Sequence, residues 1–270
     1  MNKIAFIGAG NMARAIIIGL VNSGVSAQNI IVANPSPEKR VNLANEFGVQ
    51  QTSDNIKATE FADIIVLCVK PHLICGVCQQ LSSTFDISNK LFISVAAGTT
   101  VDQIQQALNI NVALVRVMPN TPSQLGLGMS GMFASKEVSA SQKAASDKLM
   151  SAVGKVIWLE TEDKINDIIA VAGSAPAYFF LFMEAMEKQA QALGFTAEES
   201  RMLVQQTALG SAQMVEHNKA PISTLRENVT SKGGTTFAAL EQLRDDGIDK
   251  MVKNAMNAAI ARAEEMAKDA

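Results

Sequence analysis

Histidine is almost missing from this chain. There are two in 270 residues, His72 and His217, and neither shares a motif with a carboxylate. Cysteine is nearly as scarce. Cys68, Cys75 and Cys78 cannot make an even disulfide framework, which points to a reducing compartment and a cytoplasmic location. An excess of positive charge is also lacking, since the formal net charge is −3. Bulk binding to nucleic acid or to an anionic membrane leans on such an excess and is therefore not expected. Ile168 to Met183 carries no charge, but the stretch is shorter than the ~20 residues of a bilayer span and contains Gly173, Ser174 and Pro176. Lys3 and the apolar residues after it resemble a signal peptide, but Asn11 and Arg14 interrupt the run and no small-residue cleavage site follows cleanly. Both stretches are expected to be soluble core. There is no internal repeat and no low-complexity tail.

The few metal-ligand types present are weighed and set aside. His72, Cys75 and Cys78 are spaced by three and would share a helix face, where they could hold a metal or form a redox pair. Only Cys68, on an expected strand, offers a fourth ligand. Small buried hydrophobes are the ordinary role of free cysteine, and no metal site is expected.

What is present is apolar material, 48% of residues against 18% charged, enough for a sizeable core. Its arrangement changes along the chain. Lys3–Ile7, Ile30–Ala33, Ile64–Val69, Leu91–Val95 and Val112–Val117 read as strands, with short ones at Met132–Phe133 and Val156–Trp158. Helical patterns occupy Asn11–Ser23 and Pro37–Phe47. Strands apolar throughout and separated by helices imply a parallel sheet covered on both faces. After about Trp158 everything reads as helix: Ile165–Ala192, Thr196–Asn218, Pro221–Asn228, Thr235–Asp245 and Ile248–Lys268. Thr196 with Glu199 makes a capping box, and Gly194 before it is a helix stop. Pro176 should kink the first of these helices. The expected organisation is an α/β Rossmann-type dinucleotide-binding domain over residues 1–160, then an all-α domain over 161–270.

Gly8-Ala9-Gly10-Asn11-Met12-Ala13 follows the first strand and opens the first helix. That is the context the G-x-G-x-x-G/A fingerprint requires. Gly8 permits the tight turn, Gly10 leaves room for a pyrophosphate, and Ala13 keeps helix and sheet close. The free amides and positive end of the helix then face the phosphates. The second strand ends in Ala33-Asn34-Pro35-Ser36, where NAD-preferring sites place a carboxylate. Asn34 and Ser36 can donate to a 2′-phosphate and Arg40 could add charge, so NADP(H) is expected, with NAD(H) as a second cofactor. Lys39 and Arg40 also read as the solvated face of a helix. Ligands of open α/β sheets lie beyond the carboxyl ends of the strands. Val69-Lys70-Pro71 and Ala96-Ala97-Gly98 should therefore line the dinucleotide, and Asn55 is placed in the same set. Lys70 also reads as an ordinary surface lysine.

Three later stretches complete a pattern: Arg116-Val117-Met118-Pro119-Asn120-Thr121-Pro122, Gly173-Ser174-Ala175-Pro176-Ala177-Tyr178, and Val229-Thr230-Ser231-Lys232-Gly233-Gly234-Thr235-Thr236. With the N-terminal fingerprint and Val69-Lys70-Pro71, the chain resembles the pyrroline-5-carboxylate reductases over essentially its whole length. The resemblance implies NAD(P)H-dependent reduction of the cyclic imine L-1-pyrroline-5-carboxylate to L-proline, the last step of proline biosynthesis. It implies that Ser231, Gly233, Gly234 and Thr235 hold the substrate carboxylate, and that the Thr236 hydroxyl meets the ring nitrogen as the catalytic contact. It also implies interlocked homodimers built into larger rings, up to a decamer of dimers. The chain departs from the family at Ala175, commonly glycine, and at Lys232, commonly proline. Neither change removes a group the chemistry needs, and Lys232 adds a positive charge suited to an anionic substrate.

The residues support this reading by themselves. Ser231 to Thr236 is a hydroxyl- and glycine-rich turn opening a helix, which makes a carboxylate nest; a capped interhelical turn without a ligand fits the same residues. Met251, Ala255, Ala258, Ala259, Arg262 and Met266 form a stripe that permits close helix packing. Phe179 to Met183 read as core or subunit interface. A ketone reductase needs a positioned acid for its developing alkoxide. A cyclic imine arrives protonated, so a chain short of such acids suits an imine better than a hydroxy acid. Two rival readings are a hydroxy-acid or other imine oxidoreductase of the same architecture and a non-catalytic dinucleotide sensor. A lysine in the first long helix of the second half would favour a hydroxy acid, and none lies between Ile165 and Met186.

Overall fold

The computed structural model describes residues 2–84 and 86–269, with side chains up to residue 267. The chain divides into two compact units. One comprises the residues up to Ser174 together with those from Ala259 onward; the other is Ala175–Ala258.

The first unit is built on one eight-stranded sheet of order β3-β2-β1-β4-β5-β6-β7-β8. The strands are β1 (Ile4–Ile7), β2 (Ile30–Ala33), β3 (Gln50–Thr52), β4 (Ile64–Leu67), β5 (Leu91–Ser94), β6 (Ala113–Met118), β7 (Gly128–Ala134) and β8 (Gly154–Trp158). Helices α1 (Asn11–Asn22), α2 (Pro37–Phe47), α3 (Asn55–Phe61), α4 (Ile74–Ser82), α5 (Val101–Leu108) and α6 (Ala140–Ser151) connect them. Alternate residues of each strand enter opposite cores. Phe6, Val32, Val66 and Ile93 pack with Ile16, Ile17 and Leu20 of α1 and Met150 of α6. Ala5, Ile65, Phe92 and Leu114 pack with Ile74 and Leu81 of α4 and Ile104 of α5. Helices on both faces explain why β1, β2, β4 and β5 are buried along their full length and carry no polar alternation.

The sheet is parallel except where β6 meets β7, which run antiparallel. That corrects the expectation of a parallel sheet: a five-residue 3₁₀ turn, Thr121–Leu125, returns the chain, and Gly126 closes it at φ 72°. β3 was not expected, because Gln50, Gln51 and Thr52 form a polar edge strand with no apolar run to mark it. Register brings Ala33, Ile7, Leu67 and Ser94 into one row across β2, β1, β4 and β5. Their carboxyl ends therefore open along one line, with the reversal of strand order between β1 and β4.

After β8 come α7 (Lys164–Ile168) and a π-helical turn, Ile169–Gly173. The helix expected over Ile165–Ala192 is thus interrupted just before Pro176. The second unit holds α8 (Ala175–Ala192), α9 (Ala197–Glu216), α10 (Ile222–Asn228), α11 (Thr235–Asp245) and the start of α12 (Ile248–Asp269). The capping box at α9 is formed: Thr196 N donates to Glu199 Oε2 at 2.9 Å and Glu199 N donates to Thr196 Oγ1 at 3.2 Å. These bonds also hold the Glu199 carboxyl below its ordinary range, the Thr196 backbone donor being the larger cause.

One expectation fails here. The apolar stretch from Ile168 to Met183 is not wholly core of this chain, since Phe179, Phe180, Leu181 and Phe182 are each more than half exposed. The helical run of residues 164–192 contains an 18-residue window of mean hydropathy 1.6 and is long and apolar enough to cross a membrane by length and composition. Among the described residues of the second unit, only Ala175, Ser200 and Val204 are buried. These helices enclose no core of their own.

Candidate functional site

The mouth of the first unit begins with Gly8. It sits at φ 107°, and a Cβ there would stand 2.6 Å from the Cys68 carbonyl oxygen. Both the conformation and the space require glycine. Its amide donates to Ala33 O at 2.8 Å, joining the ends of β1 and β2. Gly10 differs. Its backbone is extended and a Cβ would meet its nearest neighbour, Cys68 O, only at 4.0 Å. Protein packing does not demand a glycine at that position. Gly10 caps α1 without a side-chain hydrogen bond, and no acidic residue lies in the first turn. The amides at Asn11, Met12 and Ala13 are thus the open donors of a helix start. Ala13 is fully buried against the sheet, as the third position of the fingerprint requires. These features fit a dinucleotide pyrophosphate.

Asn34 is tied into this mouth. Its Oδ1 accepts from Ala9 N at 3.3 Å and its Nδ2 donates to Ser36 O at 3.1 Å. One amide proton of Asn34 remains for a ligand. Ser36 is the exposed cap residue of α2, and its hydroxyl makes no capping bond. Arg40 turns to the edge strand, Nε donating to Gln51 Oε1 at 2.7 Å, while its Nη1 is buried without a partner. No carboxylate stands at the end of β2 to oppose a 2′-phosphate.

The other expected cofactor residues lie along the same row of strand ends. Val69, Lys70 and Pro71 follow β4, with Lys70 exposed. Asn55 opens α3 behind the Asp54 cap, and its Nδ2 donates to Gln80 Oε1 at 3.4 Å. Ala96, Ala97 and Gly98 follow β5; Gly98 is at φ 74°, and a Cβ there would stand 3.3 Å from the Cβ of Met266 on α12. Cys78 is fully buried, and burial followed by the neighbouring Cys75 pushes its thiol up to about 12. Burial also raises Cys68. Neither supplies a ready thiolate, and among the described residues no three His, Cys, Asp or Glu side chains gather to hold a metal.

The second unit carries the other candidate. Gly233 takes φ 70° and Gly234 caps α11 with no side-chain hydrogen bond, so the first-turn amides of Thr235, Thr236 and Phe237 stay open. A Cβ at Gly234 would stand 2.4 Å from Ser231 Oγ, and Gly234 N donates to Ser231 O at 3.0 Å. The turn is folded back on itself, with Ser231, Lys232, Thr235 and Thr236 exposed along it. The first turn of α11 holds no acid, so the open amides make an electropositive turn.

Two residues with structural weight were not singled out from the sequence. Glu162 accepts from Arg116 Nη1 at 2.6 Å and from Val101 N at 2.7 Å. Asn120 joins the end of β6 to the π-turn, Nδ2 donating to Ala172 O at 3.1 Å. A lone acid on a loop gives no sequence signal for Glu162. For Asn120 the signal was Pro176, which leaves a helical carbonyl without its donor.

Comparison with known proteins bears on the family and the fold. Residues 162–266 match the family described as pyrroline-5-carboxylate reductase dimerisation, and residues 3–98 match one described as NADP oxidoreductase, coenzyme F420-dependent. A pyrroline-5-carboxylate reductase of Vibrio alginolyticus is 56% identical over 98% of both chains. The structure of a pyrroline-5-carboxylate reductase from Coxiella burnetii superposes with a TM-score of 0.93 at 41% identity, covering 98% of each chain. That of the Plasmodium falciparum enzyme, with NADP bound, gives 0.88 at 28% identity and 98% of each. With a Rossmann-type sheet followed by a helical region and this match over its whole length, the chain belongs to the pyrroline-5-carboxylate reductase family.

Proposed function

We propose that this protein reduces L-1-pyrroline-5-carboxylate to L-proline with NADPH, accepting NADH less well. The observation that carries the reading is a pair of uncapped helix starts, at Gly10 and at Gly234, each without an acid in its first turn. One suits a pyrophosphate and the other a carboxylate. In this reading residues 1–160 bind the dinucleotide, and residues 161–270 bind the imine and form the dimer. The cofactor, when bound, supplies the hydride for the C=N carbon. The chain's own part is to hold and align. Ser231, Gly233, Gly234 and Thr235 fix the carboxylate, and Lys232 adds attraction. Thr236 Oγ1 accepts from the protonated ring nitrogen, keeping the carbon electrophilic. No separate acid is needed, because the imine brings its own proton. Alignment and exclusion of water supply the rest of the barrier reduction.

A homodimer is the smallest assembly that fits, because the helices of Ala175–Ala258 have no core without a second copy. A reducing cytoplasm suits three free cysteines.

The test is steady-state oxidation of NADPH and NADH with racemic pyrroline-5-carboxylate, for the wild type and Thr236→Ala. Turnover with NADPH preferred, and a fall of about 10- to 100-fold in the variant, is expected for loss of a hydrogen bond to a charged group. Tight NADPH binding without turnover would remove the reductase reading and favour a sensor.

A further inference from the structure

Asn120 follows β6 and is buried, with 9% of its surface exposed. The two ends of its carboxamide do different work. Oδ1 accepts from Met129 N at 2.9 Å, fixing the turn into β7, and Nδ2 donates to Ala172 O at 3.1 Å. Ala172 lies in the π-turn of residues 169–173. In a continuous α-helix its carbonyl would take a bond from the amide of residue 176. Residue 176 is proline, which has no N–H to give. The backbone instead widens, with Ser174 N donating to Ile169 O at 2.7 Å. Asn120 thus supplies from β6 the donor that Pro176 withholds.

The same turn presses on the end of β6. A Cβ at Gly173 would stand 2.7 Å from Met118 Cε. Met118, Asn120, Ala172 and Gly173 therefore form one clamp between a strand end and a widened helical turn. Such turns gather at functional sites. This one lies at the carboxyl end of the sheet, where dinucleotides bind. With a dinucleotide's pyrophosphate on Gly8–Gly10 and its ribose phosphate at the end of β2, as the proposed function has it, the nicotinamide would lie toward β4, β5 and β6.

We propose that Asn120 is a positioning residue for the reduction: by locking the π-turn to the end of β6, it fixes the wall along which nicotinamide and imine are brought into register. The proposal rests on the reductase reading. Two variants separate the ends of the side chain. Asn120→Ala removes both bonds; Asn120→Asp keeps the acceptor for Met129 N and removes the donor to Ala172 O. Both should lower kcat about 10- to 100-fold, the loss expected of an ångström-scale misplacement. The NADPH dissociation constant, read by nicotinamide fluorescence, should stay within about twofold, because the phosphate sites are untouched. With 4-deuterated NADPH the isotope effect on kcat should rise as hydride transfer becomes the slow step. Exchange of the Met129 amide should accelerate in Asn120→Ala and not in Asn120→Asp. Should either variant fail to fold, Gly173→Ala perturbs the clamp by displacing only the Met118 methyl, and should show the same loss of kcat and the same isotope effect. Folded variants with wild-type kcat and isotope effect, against an active wild type, overturn the proposal alone. An inactive wild type overturns the reductase reading and the proposal with it.

Discussion

The Arg116 guanidinium donates to Glu162 Oε1 at 2.6 Å, with the arginine side chain 6% exposed and the glutamate 26%. The same oxygen accepts from Val101 N at the start of α5. One atom therefore ties β6, the segment after β8 and the helix that follows the Ala96–Gly98 loop. Removing one partner of a buried pair leaves the other charge stranded, which costs about 3 kcal/mol. Glu162→Ala should lower the unfolding free energy by about that much, read by denaturant titration, and the melting temperature with it. Replacing both partners, as Arg116→Met with Glu162→Leu, should restore more than half of it. Equal melting of the single and double variants would show that the pair is not the cause.

Gly8 and Gly10 look alike in the sequence and should behave differently. Gly8→Ala places a Cβ against a backbone carbonyl at a positive φ, a conflict worth about 3 kcal/mol or more. It should yield little folded protein. Gly10→Ala meets nothing of the chain closer than 4.0 Å, so its melting temperature should barely move. Its NADPH dissociation constant should rise at least about tenfold, because the methyl stands where the pyrophosphate approaches. Calorimetry and a fluorescence titration separate the two outcomes. A Gly10→Ala protein that binds NADPH normally would remove the phosphate from that turn.

Most of the first unit could be read from the chain because its strands are apolar on both faces and its helices are not. The alternation from Ile4 to Val117 leaves little choice of fold. What escaped reading was whatever that pattern does not encode. Gln50–Thr52 is a polar edge strand, and nothing local distinguishes it from a loop. The β6–β7 reversal depends on the Thr121–Leu125 turn, not on any change in hydrophobicity. Phe179 to Phe182 read equally well as core or interface, since burial within one chain and burial between two chains select the same residues. Asn120 and Glu162 act across 52 and 61 residues of sequence. Their partners become visible only when the sheet has placed them.

The proposed preference for NADPH can be tested at Asn34. Its Oδ1 holds Ala9 N and its Nδ2 reaches Ser36 O. Asn34→Asp keeps the first bond, so the glycine loop should stay in place. It removes the amide donor and sets a negative charge at the end of β2, where a carboxylate repels a 2′-phosphate and suits free ribose hydroxyls. The ratio of kcat/KM for NADPH over NADH should fall about tenfold or more, about 1.4 kcal/mol per decade, with most of the change on the NADPH side. A parallel fall for both cofactors would instead mark Asn34 as a support of the loop alone.

The second unit bears on assembly. Phe179, Phe180 and Phe182 are 65%, 62% and 51% exposed within one chain, more apolar surface than a soluble monomer leaves in one place. Three buried residues are few to hold α8 to α11 together, and in the proposed dimer packing between copies provides the core that these helices lack. Assembly and folding of this unit are then one equilibrium. Phe180→Asp should shift sedimentation from dimer or larger to monomer, and helical ellipticity should fall with it and recover as protein concentration rises. A wild type that sediments as a fully helical monomer at micromolar concentration would show that these helices hold together without a second copy. Turnover should follow the same concentration dependence if the proposed dimer holds, since the Ser231–Thr236 turn lies between α10 and α11, whose helices enclose no core within one chain.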